Sequence, residues 1–74
     1  MPKKDPMSAT VAKVIEISSE SHVSFEDAIS AGIKRAHKTI KNIKGAWINS
    51  QKVVVDNGKV VAYRVDMKLT FILE

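Results

Sequence analysis

Residues 59–73, KVVAYRVDMKLTFIL, alternate in character along most of their length. The odd positions Val61, Tyr63, Val65, Met67, Leu69, Phe71 and Leu73 are all apolar, while the even positions include Arg64, Asp66, Lys68 and Thr70. Side chains of a β-strand point to opposite faces with a period of two, so this stretch predicts a long strand with one face on a core and the other turned to something more polar. Just before it, Asp56-Asn57-Gly58 supplies a turn, because Asn-Gly accepts the positive φ angles of a tight hairpin. The partner strand is then Ala46–Val55.

Further upstream the period changes. Phe25, Ile29, Gly32, Ile33, Ala36, Ile40 and Ile43 recur at helical spacing and form one stripe. Ser24 is placed to cap free backbone N–H groups, and Glu26 and Asp27 put negative charge at the positive end of the helix dipole. Lys34, Arg35, Lys38, Lys41 and Lys44 gather towards the other end, where Gly45 offers a C-cap or the beginning of a strand. Before the helix, Val11–Ile17 (VAKVIEI) reads as a strand, and Ser18–His22 reads as a loop by composition. The expected fold is α+β, in the order β-α-β-β, with a three-stranded, mainly antiparallel sheet wrapped on one long helix. Residues 1–8 are expected to be a flexible N-terminal segment, and residues 9–74 a single domain.

At 74 residues there is room for one domain only. So small a domain buries about 60% of the surface its unfolded chain exposes, and its core supplies roughly 3–5 kcal/mol. Disulfides and thiolate metal sites are ruled out because the chain has no cysteine. Association with other copies is the remaining staple. No apolar run approaches the ~20 residues of a membrane helix, and the start carries no signal-like apolar stretch, so a cytoplasmic protein with no membrane partner is expected. The net charge is +4. The helix lysines carry no interleaved aromatics and read as a solvated face, so no nucleic-acid partner is expected. His22 and His37 have no evident catalytic partner, and Gly32, Gly45 and Gly58 cannot form a glycine-rich phosphate loop, so an enzyme is not expected.

Trp47 is the residue that points to function. If Ala46 and Ile48 pack under the helix, Trp47 faces the other way with Asn49 and Gln51, and the polarity of the third strand's even positions adds Arg64 to that face. An indole on a sheet face with no second layer needs a cover, either a partner subunit or a flat ligand stacked on it.

Taken together, VAKVIEI, the Ser18-Ser19 segment, SFEDAISAGIKRAHKTIKNI, the Asp-Asn-Gly-Lys turn and VAYRVDMKLTFILE resemble the dodecin family over residues 9–74. The resemblance implies a β-α-β-β subunit of a hollow homododecamer with outward-facing helices. It also implies storage or buffering of a flavin, FMN or riboflavin, stacked between tryptophans with a glutamine on the ring's polar edge. By spacing, the family's tryptophan corresponds to Gly45 and its glutamine to Arg64. Trp47 lies two residues further along on the same face, and Arg64 is a donor only, suited to phosphate or carboxylate. The candidate cofactor-binding residues are therefore Trp47, Arg64, Gly45 and Gln51. The same departures resemble a subgroup without the flavin signature that includes a calcium-binding member. On that alternative Glu16, Glu20, Asp56, Asp66 and Glu74 are the available hard-cation ligands, gathered from several subunits.

Overall fold

A computed structural model describes residues 9–73. Both the expected flexible segment 1–8 and Glu74 lie outside the described residues. Strand β1 runs Ala12–Ser21, helix α1 Phe25–His37, strand β2 Ile43–Asp56 and strand β3 Lys59–Ile72. The three strands form one antiparallel sheet in the order β1-β3-β2. The strictly alternating strand is thus the central one, which is why its odd face is so uniformly apolar. Val65, Met67 and Leu69 are completely buried there. Ala28 and Ala36 of α1 close over them, flanked by Ile15, Ile17, Phe25, Ile29, Ile33 and Ile43.

The turn into α1 is held by two serines. Ser24 caps the helix by accepting the Asp27 N–H at 2.9 Å. Ser21 Oγ donates to Asp27 Oδ2 at 2.6 Å and accepts from the Val23 N–H at 2.9 Å. At the other end of the sheet, Asn57 (φ 51°) and Gly58 (φ 76°) take the two positive-φ positions expected of the hairpin. Phe25 meets Tyr63 edge to face, with ring centroids 5.2 Å apart.

Three boundaries differ from those read in the sequence. First, Ser18–Ser21 is strand rather than loop, because Ser18 pairs with Asp66 and Glu20 with Arg64 on the polar side of β3. Second, α1 stops at His37, well short of Lys44. The chain tightens through Lys38, Thr39 and Ile40, whose N–H groups bond to the Arg35 and Ala36 carbonyls, and reverses at Asn42 in the left-handed region (φ 65°). Third, Ile43 already belongs to β2, opposite Phe71, so Gly45 lies within a strand and caps no helix.

Helix α1 packs mainly on β1 and β3 and leaves β2 largely uncovered beyond Ile43. Ala46 and Ile48, read as lying under the helix, are consequently exposed, as are Val53 and Val55 towards the hairpin. The molecule measures 58 × 20 × 14 Å with a radius of gyration of 16.1 Å. A compact domain of this length has a radius of about 11 Å. The hairpin end of β2 and β3 therefore reaches beyond the core, with Val53, Val55, Val60 and Val61 exposed.

Candidate functional site on the open sheet face

The sheet face turned away from α1 collects the chain's polar strand positions. The register brings Glu16, Ser18 and Glu20 of β1 beside Lys68, Asp66 and Arg64 of β3. From β2 it adds Gly45 opposite Thr70, Trp47 opposite Lys68, Ser50 opposite Asp66 and Lys52 opposite Arg64. Between Ile48 and Ser50 the pairing shifts by one residue, at Asn49. A bulge of this kind sets two residues against one and changes the facing of everything beyond it.

Gln51 accordingly falls opposite Val65, on the helix side of the sheet, and does not share a face with Trp47. Asn49 does serve the open face, donating from Nδ2 to Glu16 Oε2 at 3.2 Å. Arg64 is on that face too but is already engaged: its Nε and Nη2 donate to Glu20 Oε1 at 3.0 and 2.7 Å. Both partners are more than a third exposed, so the pair contributes no more than about 1 kcal/mol. Arg64 lies four residues along β3 from Lys68, the partner of Trp47. At ~3.3 Å per residue that is about 13 Å, beyond direct contact within one subunit. Of the four candidate cofactor residues, only Gly45 and Trp47 are brought together. Trp47 is 66% exposed and, with Gly45, Ala46 and Thr70, walls a cleft of about 250 Å³.

A second hollow, of about 470 Å³, is lined by Glu16, Ser18, Asn49, Ser50 and Asp66 among others. Asp66 is its centre, accepting from Ser18 Oγ at 2.7 Å and from Ser50 Oγ at 3.0 Å. Hydrogen bonds from Ser18 and then Ser50 hold its carboxyl below the ordinary value of 3.8; desolvation opposes them to a lesser extent, and Arg64 and then Lys52 add smaller lowering effects. A depressed carboxylate pKa contributes stability that is present above the unfolded value and is lost as pH falls through the folded one. Melting of the wild type is therefore expected to show an acid-side loss below pH 3.8 that Asp66→Asn lacks. Carbon-13 NMR titration of the carboxyl checks the assignment, and a midpoint at or above 3.8 would refute it.

Ser18 and Ser50 were not foreseen as site residues, and Asn49 was read only as a neighbour of Trp47 on the open face. The signal for Ser18 lies in Glu16, Ser18 and Glu20, which continue a polar period of two past Ile17. Nothing comparable in the sequence announces the bulge at Asn49. Among the described residues no three His, Asp or Glu side chains converge as a metal-holding group. Asp56 is at the hairpin, paired with Lys59. No helix among the described residues is long and apolar enough to cross a membrane.

The family model described as Dodecin matches residues 11–74. The chain belongs to the dodecin family. Calcium dodecin from Mycobacterium tuberculosis (strain ATCC 25618 / H37Rv) is 31% identical over 62 residues, covering 84% of this chain and 87% of the relative. Among solved structures, dodecin from Streptomyces coelicolor superposes with a TM-score of 0.85 at 25% identity, covering 92% of this chain and 97% of that one. The crystal structure of the M. tuberculosis calcium dodecin, described as calcium-chelating with a novel calcium-binding site, gives a TM-score of 0.75 at 30% identity over 86% of this chain and 91% of that one. These dodecins share the β-α-β-β order and the three-stranded antiparallel sheet with its single helix.

Proposed function

We propose that this chain is the subunit of a homo-oligomeric dodecin, a hollow dodecamer acting in the cytoplasm, that stores or buffers a planar ligand of the flavin class, FMN or riboflavin, against Trp47. The observation that carries the reading is the indole standing 66% exposed on an uncovered sheet face beside side-chain-free Gly45. Its association part draws on the excess radius of gyration and on the exposed hairpin end of β2 and β3. Such surface on a domain with so small a core calls for other copies to bury it. A role in binding rather than catalysis agrees with the family to which the chain belongs.

The test combines the native mass of the assembly with fluorescence titration of riboflavin and FMN. Quenching on mixing is expected, with affinity reduced about 5- to 100-fold in Trp47→Ala, the range for loss of one aromatic stacking partner. Unaltered flavin fluorescence at high protein concentration rejects the ligand, and a well-folded monomer rejects the assembly.

A second reading has its own observation. The anionic Asp66, with the Ser18 and Ser50 hydroxyls and Glu16 around one hollow, offers oxygens of the type calcium selects. The 31% identity to a calcium dodecin supports the same reading. Calcium takes 6–8 oxygens, so several subunits would have to contribute. Calcium is then expected to raise the melting temperature of the wild type and not of Asp66→Asn. A melting temperature indifferent to calcium removes this reading.

A further inference from the structure

We infer that Gly45 and Thr70 form the floor of the ligand site, Gly45 by leaving the strand bare and Thr70 by offering its hydroxyl to the ring's polar edge. The inference rests on Trp47 as the stacking wall and assigns what selects the ligand there. Gly45 and Thr70 are direct cross-strand partners on the face that carries Trp47. Trp47 is two residues from Gly45, so the indole rises about 6–7 Å along the strand from the bare position. A flat ring lying against the indole on the side of the cleft lined by Gly45 and Thr70 meets no β2 side chain at position 45. A Cβ placed at Gly45 would come within 3.1 Å of Thr70 Oγ1, so the glycine also keeps that hydroxyl uncovered. Thr70 Oγ1 makes no hydrogen bond with the other described residues, whereas the hydroxyls of Ser18 and Ser50 on the same face are both committed to Asp66.

The cleft measures about 250 Å³, below the ~300 Å³ at which pockets for whole small ligands begin. It accommodates one end of a ring system, and the remainder projects beyond the chain. Selection at this position accordingly acts on ring width and on the presence of a hydrogen-bonding ring edge.

The experiment is titration of wild type, Gly45→Val and Thr70→Val with riboflavin and FMN, read by fluorescence quenching, alongside melting and native mass. Valine suits a strand, so neither change should unfold the subunit. At least a tenfold loss of affinity is expected for Gly45→Val, and about a 2- to 10-fold loss for Thr70→Val, with Thr70→Ser restoring binding. Wild-type quenching that persists undiminished in Gly45→Val overturns the floor while leaving the stacking wall intact. Undiminished binding in Thr70→Val overturns the role of the hydroxyl. No quenching by wild type overturns both the floor and the flavin reading.

Discussion

Leu69→Ala is expected to destabilise the subunit by about 2–5 kcal/mol, the range for removing a fully buried leucine and leaving a cavity. Leu69 is completely buried towards the C-terminal end of the central strand, between Ile15 on one side and Ala46 on the other. It belongs to the cluster formed by Ala28, Ala36, Val65 and Met67. A core of this size supplies only roughly 3–5 kcal/mol, so one cavity removes most of what a single subunit has. At about 4–8 °C per kcal/mol, the melting temperature should fall by roughly 10 °C or more. Under the proposed association, folding and assembly are linked by mass action, so the variant should also lose assembly on dilution before the wild type does. Calorimetry with light scattering over a concentration series reads both effects. A shift under about 1 kcal/mol would mean that the neighbouring side chains close the cavity, and that the core is looser than its burial indicates.

Gly32→Val should separate the helix from the sheet. A Cβ at Gly32 would sit 2.7 Å from the Met67 terminal methyl and 3.0 Å from Ser19 Cβ. Met67 can swing its end, but it is itself fully buried, and Ser19 Cβ is fixed to the backbone of β1. Overpacking of this kind costs about 1–3 kcal/mol. Valine regains only part of glycine's helix-propensity deficit of about 1 kcal/mol, so the clash wins. Gly32→Ala is the milder companion, its smaller clash set against the larger propensity gain. Hydrogen exchange should accelerate across α1 in the valine variant while the β2–β3 hairpin stays protected. A valine variant as stable as the wild type would disprove the close approach.

The helix start, the hairpin and the inward face of the central strand were legible because each is encoded within a few residues. Ser24 followed by Glu26 and Asp27, Asn57-Gly58, and Tyr63 to Phe71 in steps of two all act locally, whereas Val61 and Leu73, read on the same face, are exposed. The extension of β1 through Ser21 was hidden because serines and a glutamate look like loop until their partners Asp66 and Arg64 are known. The stripe Ile40 and Ile43 suggested a longer helix, yet Ile43 packs on the same core from the sheet. For the site, Trp47 on the open face was readable from its flanking residues, and so was Arg64 on that face. Their separation, the engagement of Arg64 with Glu20 and the transfer of Gln51 to the far side depend on pairing register and on one bulge. Register is a property of two strands at once, which no single segment displays.

Sheet order carries a consequence for biosynthesis. The middle strand is the last of the three to be made, since β3 follows both of its neighbours in the chain. While the nascent polypeptide emerges from the ribosome, β1 and α1 have only each other to pack on, and neither β1 nor β2 has its hydrogen-bonding mate. Once residues 59–72 appear, β3 joins β2 through a short turn, but pairing β1 with β3 closes a long loop that takes in α1 and β2. Translation delayed within that last segment leaves the earlier strands exposed to one another on neighbouring polysomal chains, where stray edge pairing competes with correct folding.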